Sequence, residues 1–311
     1  MADVKTVRPG WYNAFRPWSL HGAVIPVLIG GVVAYCEGYL DHTNWWIFAM
    51  VLICGCLLQS AANLLNTYGD YVRGTDTEHT LEDRSRSPEL VTGTLKPKAV
   101  LMVGLACLGI TALCGIVFIW YIGWGILIFG LLGIAGAGLY TVGFAYKYHA
   151  MGLISVFFMM GILMPLGTYY VLSGEISYTV LLMSLPNAFI ITAVLSGNET
   201  RDYHEDKQAG VRTLSGFLSY EGSMRLYLAL NIIAFPILLA LMAFKTIPWA
   251  SALAFLALID MYLLYKNAEG TSDDRKKSRL LVPMSFRMNW HFGLLLAAGY
   301  LIGQYIITGA V

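Results

Sequence analysis

The sequence predicts an all-helical, polytopic membrane protein, with nine transmembrane helices around a central cavity and a cap of loops on the cytoplasmic side. Three observations carry that expectation. Apolar residues make up 57% of the 311-residue chain and charged residues only 13%, against about 25% charged in a soluble domain; the mean hydropathy is +0.63. The apolar residues fall into runs of roughly 20, enough to cross ~30 Å of hydrocarbon at about 1.5 Å per residue. The Lys and Arg residues collect between alternate pairs of runs, on one side.

In chain order the runs cover 17–38, 45–67, 98–119, 122–143, 151–173, 177–198, 223–243, 248–266 and 290–309. The first is long and is interrupted by His21 and Pro26, which is not the pattern of a cleavable signal. The third and fourth are separated at Trp120–Tyr121, where Gly115, Gly123 and Gly125 favour a tight turn over one long helix. Pro26, Pro165, Pro186 and Pro236 fall in mid-run. They read either as kinks that open a cavity or as kinks that are merely tolerated. Asp260 lies inside the eighth run, placed either to pair with a nearby Lys or Arg or to face the cavity.

With the N-terminus in the cytoplasm, the inside segments hold every one of the 20 Lys and Arg residues except Lys245. That bias sets topology and places the chain in the cell (inner) membrane as a multi-pass protein. The long inside segments are 68–97, 199–222 and 267–289. The third is basic and reads as a topology signal beside anionic lipid. The five cysteines lie in or beside apolar runs without CxxC spacing, as buried helix residues do. A net charge of +1 implies no nucleic-acid partner. One domain accounts for 1–311. The second run ends in Asn66-x-x-x-Asp70-Tyr71 and the sixth in Asn198-x-x-x-Asp202-Tyr203. That repeat hints at a four-helix pseudo-repeat, helices 1–4 and 5–8.

These two ends carry the chemistry. In the first, Asn66 and Asp70 share a helix face at i, i+4, and Gly74 can end the helix so that Asp76 turns back toward them. In the second, Asn198, Asp202 and Asp206 form one polar stripe at i, i+4, i+8, and Gly210 again offers a stop. A single such cluster reads as a solvated helix end. Two with matched spacing on the same side do not, because carboxylates at a bilayer normally face a wet cavity and mark function. Asp and Asn oxygens suit a hard cation such as Mg2+, and the lack of paired His or Cys argues against zinc or iron. Mg2+ bridges a few carboxylates to substrate phosphates. Arg73, Lys147, Arg201 and Lys207 lie close in sequence to the clusters or between them, and suit such an anion or simply fix orientation.

The pattern N-x-x-N-x-Y-x-D-Y-x-x-G-x-D from Asn63 to Asp76, and N-x-x-R-D-x-x-x-D-x-x-x-G-x-x-T-L from Asn198 to Leu214, resemble the Asp-rich motifs of the UbiA superfamily of intramembrane prenyltransferases. The likeness is greatest to its 1,4-dihydroxy-2-naphthoate branch, which makes menaquinone precursors. Arg16-Pro17-Trp18-Ser19-Leu20, Ile25 to Gly30, Lys147-Tyr148 with Gly152, and Gly161 to Val171 add to it. Two positions depart: Glu199 stands where the branch has Asn, and Leu153 where it has an acid.

The resemblance implies Mg2+ held by Asn66, Asp70, Asp76, Asn198, Asp202 and Asp206. It implies an isoprenyl diphosphate neutralised by Arg73, Lys147, Arg201 and Lys207, with Tyr148 and Asn63 also at the donor site. Asp70, Asp202 and Lys147 are the implied catalytic residues. Tyr68, Tyr140, Tyr148 and Tyr169 are candidates to face an allylic cation, and the acceptor is an aromatic ring. Other acceptors within the superfamily stay open: hydroxybenzoate, homogentisate and other lipids. A secondary transporter is a different class; its acids tend to lie at the bilayer midplane, whereas these lie at helix ends. A membrane phosphotransferase would show D-G-x-x-A-R, which the sequence lacks.

Overall fold

The computed structural model describes residues 10–76, 89–271 and 274–308. Lys5, Arg8, Arg84 and Arg86, counted above for orientation, lie outside the described residues. Every expected run falls on a helix. We label them α1 (His21–Cys36), α2 (Trp45–Val72), α3 (Pro97–Ile122), α4 (Ile126–Gly138), α5 (Gly152–Ser173), α6 (Tyr178–Arg201), α7 (Tyr220–Ala243), α8 (Trp249–Ala268) and α9 (Arg275–Thr308). No strand occurs among the described residues. Seven helical segments are long and apolar enough to cross a membrane, the first running from Trp11 through α1. The two that fall outside that criterion are α4, with 13 residues, and α9, with 34 residues of which the first turns are basic.

The helix starts follow local chemistry. Pro97 at the first turn of α3 lacks only an N–H that would have no helical partner there. Ser177 and Ser219 cap α6 and α7 by accepting the Val180 and Gly222 N–H groups at 3.3 and 3.0 Å. The centre of the bundle is α6, 72% of whose most apolar stretch is buried, whereas α3 buries 22% and is peripheral. Around α6 pack α9, α7 and α5; α9 also lies along α8 and α1, and α2 packs on α3.

Several expectations need correction. The boundary between α3 and α4 falls at residues 123–125 rather than at Trp120–Tyr121, because α3 continues to Ile122. The fourth run stops at Gly138, since the following residues fold into a turn and a 3₁₀ segment, Tyr146–His149. The third inside segment is largely not a loop, because α9 begins at Arg275. Leu281, Ser285, Met288 and Phe292, at helical spacing, are all fully buried and hold those turns against the bundle. Its cations do more than mark topology. Arg275 grips Glu205 at 2.5 Å, and Arg287 pairs with Asp260 at 2.7 Å.

The prolines split in two. Pro165 follows a π-helical stretch, Phe157–Leu163, and Pro236 follows a break at Ile233. A proline has no N–H to donate and its ring clashes with the carbonyl four residues earlier, so the ladder fails one turn upstream. Pro26 and Pro186 sit inside helices that remain unbroken.

Candidate active site

Both acidic tips stop in the same way. Gly74 has φ +71° and Gly210 φ +69°, a left-handed geometry that costs a residue with a Cβ about 1–2 kcal/mol. After α2, the Gly74 N–H bonds the Tyr71 carbonyl and the Thr75 N–H bonds the Asp70 carbonyl. After the short helix Tyr203–Gln208, Gly210 bonds Lys207 and Val211 bonds Asp206 in the same pattern. These paired bonds form a Schellman stop. Each reverses the chain just past an acid of the motif, as the spacing predicted.

The two tips open on one cavity of about 620 Å³. From the α2 side come Asn63, Asn66, Asp70 and Asp76; from the α6 side come Asn198, Glu199, Arg201, Asp202 and Asp206. Lys147 and Tyr140 enter from the segment after α4. Deeper walls are apolar: Gly136 of α4, Met159 and Met164 of α5, Ile191 and Leu195 of α6. The N-terminal segment closes another side through Arg16 and Trp18. It is moored by Asn63, whose side-chain amide donates to the Phe15 carbonyl and to Ser19 Oγ, both at 2.9 Å. Asn63 therefore acts as an anchor for that wall.

Among the described residues, each motif shares a cation between its Asn and its Asp. Lys147 Nζ donates to both oxygens of Asp70 at 2.9 Å and to Asn66 Oδ1 at 3.0 Å. Arg201 donates to both oxygens of Asp202, at 2.7 and 2.6 Å, and to Asn198 Oδ1 at 2.6 Å. The Lys147 turn can reach Asp70 because Gly69 lies flat against it: a Cβ there would sit 2.8 Å from Thr141. Ala145 and Ala150, both left-handed at φ +51° and +57°, bracket that turn. Such strain collects at functional sites. Tyr148 adds a hydroxyl donor to Asp70. Burial, and then the Asp70 charge, push its phenol well above the usual range, so it stays a donor.

Other expected residues lie elsewhere. Arg73 is exposed and stacks on the Tyr148 ring at 4.6 Å, and Lys207 donates to the Tyr203 hydroxyl at 2.7 Å; neither lines the cavity. Tyr169 donates to Glu37, and Tyr68 packs beside a small cluster near α3. Of the four tyrosines proposed to face a cation, only Tyr140 lines the cavity. Its accessible surface faces that space; burial first, then the charge of Glu199, hold its phenol well above the usual range. Asp260 resolves to the paired alternative: besides Arg287 it meets His291 Nδ1 at 2.6 Å, away from the cavity. Tyr146 and Arg275 were not foreseen as site residues. Tyr146 lines the cavity, and Arg275 reaches the Arg201 carbonyl at 3.1 Å from the start of α9. No signal beyond adjacency to Lys147 marks Tyr146.

The residues fit Mg2+. The donors on both walls are carboxylate and amide oxygens, and zinc-type nitrogen and sulfur donors are missing from the described cavity lining. Among the described residues no three His, Cys, Asp or Glu side chains converge as a closed cage. Mg2+ takes one or two carboxylates and completes its shell with water and substrate phosphate, and Asp70 and Asp202 stand one on each wall.

A bundle of helices apolar enough to cross a bilayer, with an oxygen-rich mouth over an apolar chamber, defines the class: a polytopic membrane protein with a chamber polar at its mouth and apolar in its depth. The chain belongs to the UbiA prenyltransferase family, whose profile matches residues 23–293, and it is a prenyltransferase. It is 28% identical over 294 residues to a 1,4-dihydroxy-2-naphthoate octaprenyltransferase of Bacillus subtilis, covering 93% of this chain and 91% of that one. It is 31% identical over 228 residues to UbiA prenyltransferase domain-containing protein 1 of Xenopus tropicalis, covering 71% of this chain and 62% of that longer protein. The fold matches a UbiA homologue from Aeropyrum pernix with a TM-score of 0.66 at 15% identity, over 91% of this chain and 98% of that one. A homologue from Archaeoglobus fulgidus bound to GPP and Mg2+ matches with a TM-score of 0.60 at 14% identity, over 92% and 98%.

Proposed function

We propose that this chain transfers a polyprenyl group from an isoprenyl diphosphate to 1,4-dihydroxy-2-naphthoate, in a single Mg2+-dependent domain with its acidic mouth toward the cytoplasm. One observation carries the reading: both Asn-x-x-x-Asp tips open on the same chamber, whose floor is apolar. The charge bias of the connecting segments supports a cytoplasmic N-terminus in the cell (inner) membrane. The naphthoate acceptor is supported by the likeness to the Bacillus subtilis enzyme along nearly the whole chain.

In this reading Asn66, Asp70 and Asp76 on one wall, and Asn198, Asp202 and Asp206 on the other, hold Mg2+. When bound, it supplies Lewis-acid stabilisation of the charge that builds on a leaving diphosphate. The protein's own side chains do the rest. Lys147 and Arg201 keep the carboxylates from repelling one another and present positive charge to the diphosphate head. Such prearranged charge favours breakage of the C–O bond. The walls formed by Met159, Met164, Ile191 and Leu195 receive the apolar tail and keep water from an allylic cation. Tyr140, which remains protonated, lines the same space. The acceptor ring attacks the allylic carbon and loses a proton.

The test is direct. Purified protein is incubated with Mg2+, geranyl or farnesyl diphosphate, and a panel holding 1,4-dihydroxy-2-naphthoate, 4-hydroxybenzoate and homogentisate. Mass spectrometry should find a prenylated naphthalene ring. Prenylation of a different ring alone overturns the acceptor, and no prenylated ring at all overturns the reaction.

A further inference from the structure

Glu199 is unused by the chemistry above, yet it is buried at 6% exposure and lines the cavity. One of its oxygens is tied down: Oε2 accepts the Ser215 N–H at 3.1 Å. The Ser215 side chain also lies close to this carboxyl, and no hydrogen bond assigned to the other oxygen, Oε1, occurs among the described residues. A carboxylate this buried ordinarily satisfies both oxygens, and a missing partner points to a ligand.

The direction of Oε1 can be read from Gly152 on the facing helix. A Cβ placed there would sit 3.3 Å from Leu195, 3.5 Å from Glu199 Oε1 and 3.8 Å from the Tyr140 hydroxyl. The Glu199 and Tyr140 oxygens therefore flank one buried patch of backbone, Gly152, and both residues line the cavity. That patch lies where the polar mouth meets the apolar floor: Lys147 and Asp206 are near enough to Glu199 to influence its charge, while Leu195, Val194 and Ser155 continue below it. A hydroxyl on an aromatic ring in the cavity would find one carboxyl acceptor and one phenolic donor there.

We propose that Glu199 Oε1 binds a hydroxyl of the acceptor ring, with Tyr140 beside it, and so selects hydroxyl-bearing aromatic acceptors. This deepens the prenyl-transfer reading and rests on it. Glu199 is a specificity residue for the acceptor and stands outside the oxygen set for Mg2+ and diphosphate.

The experiment compares wild type, Glu199→Gln and Glu199→Ala with 1,4-dihydroxy-2-naphthoate and its two mono-O-methyl ethers. Glu199→Gln keeps an oxygen for the Ser215 N–H, so it guards against mere misfolding of Glu199→Ala. Wild type should prefer the diol over one ether by about tenfold or more, the scale of a buried hydrogen bond to a charged group. Both variants should raise the acceptor KM about tenfold with the donor KM and the Mg2+ dependence unchanged. In Glu199→Ala the preference over that ether should shrink toward unity. A changed Mg2+ dependence or donor KM with an unchanged acceptor KM overturns the proposal and moves Glu199 to the donor set. An unchanged diol preference in both variants also overturns it. If wild type prenylates no ring, the reaction reading fails separately. Equilibrium binding of the diol then decides: weaker binding by Glu199→Gln than by wild type upholds the hydroxyl contact, and equal binding ends it.

Discussion

The two acidic helix tips carry the same Asn-x-x-x-Asp spacing and the same kind of glycine stop, but they are braced in opposite ways. At the end of α6 the brace is local: Arg201 precedes Asp202 in sequence, and both are buried, at 8% and 6% exposure. At the end of α2 the brace is remote: Lys147 and Tyr148 arrive from the segment after α4, and the Lys147 side chain keeps 18% of its surface. One tip thus carries its own counter-charge into the interior, whereas the other depends on a strained turn docking correctly. The difference teaches that matched motifs need not be matched in what they contribute to folding.

The largest effect should fall on both tips alike. Asp70→Asn and Asp202→Asn should each lower prenyl transfer by roughly a hundredfold or more, the scale of removing a charge-stabilising group. Near-normal turnover in either would remove the metal role assigned to that tip. Chelation of Mg2+ should stop turnover with only a small fall in melting temperature, because Lys147 and Arg201 already pair with Asp70 and Asp202. A steep drop on chelation would mean the metal holds the two walls together.

Stability should then separate the tips. Arg201→Met removes the doubly bonded partner of the buried Asp202 carboxylate and should cost about 3–5 kcal/mol, read as loss of folded protein after detergent extraction. Lys147→Met should cost less, since its partner retains Tyr148 and water can reach the lysine end. Equal losses would erase the distinction between local and remote bracing. Tyr148→Phe should lower kcat/KM by about tenfold, the effect of one hydrogen bond to a charged group, with little change in melting. Smallest of all, Gly74→Ala and Gly210→Ala should each destabilise by about 1–2 kcal/mol, seen as a modest fall in melting temperature.

Much of this was legible in the sequence, for definite reasons. Seven of the expected spans lie on helices long and apolar enough to cross a membrane, because runs of apolar residues leave the backbone no other way to satisfy its hydrogen bonds in lipid. The glycine stops were legible because only glycine readily takes the left-handed turn that Gly74 and Gly210 adopt. The pairing of Arg201 with Asp202 needed only adjacency. What stayed hidden depends on folding at long range. Nothing near Asp70 announces Lys147 as its partner, and nothing near Arg201 announces Arg275. Arg73 and Lys207 look equivalent to Lys147 in sequence, yet they stack on Tyr148 and Tyr203 instead. The basic stretch before residue 290 looked like a loop because its charges mask the buried stripe of Leu281, Ser285 and Met288.

The first residue of the last helix, Arg275, holds both the Glu205 carboxylate and the main chain at Arg201. An amputation behind residue 274 would therefore loosen the acidic end of the chamber, and not just strip away an outer rod. Adding the missing helix back as a separate peptide should restore turnover only if that peptide still begins with the arginine.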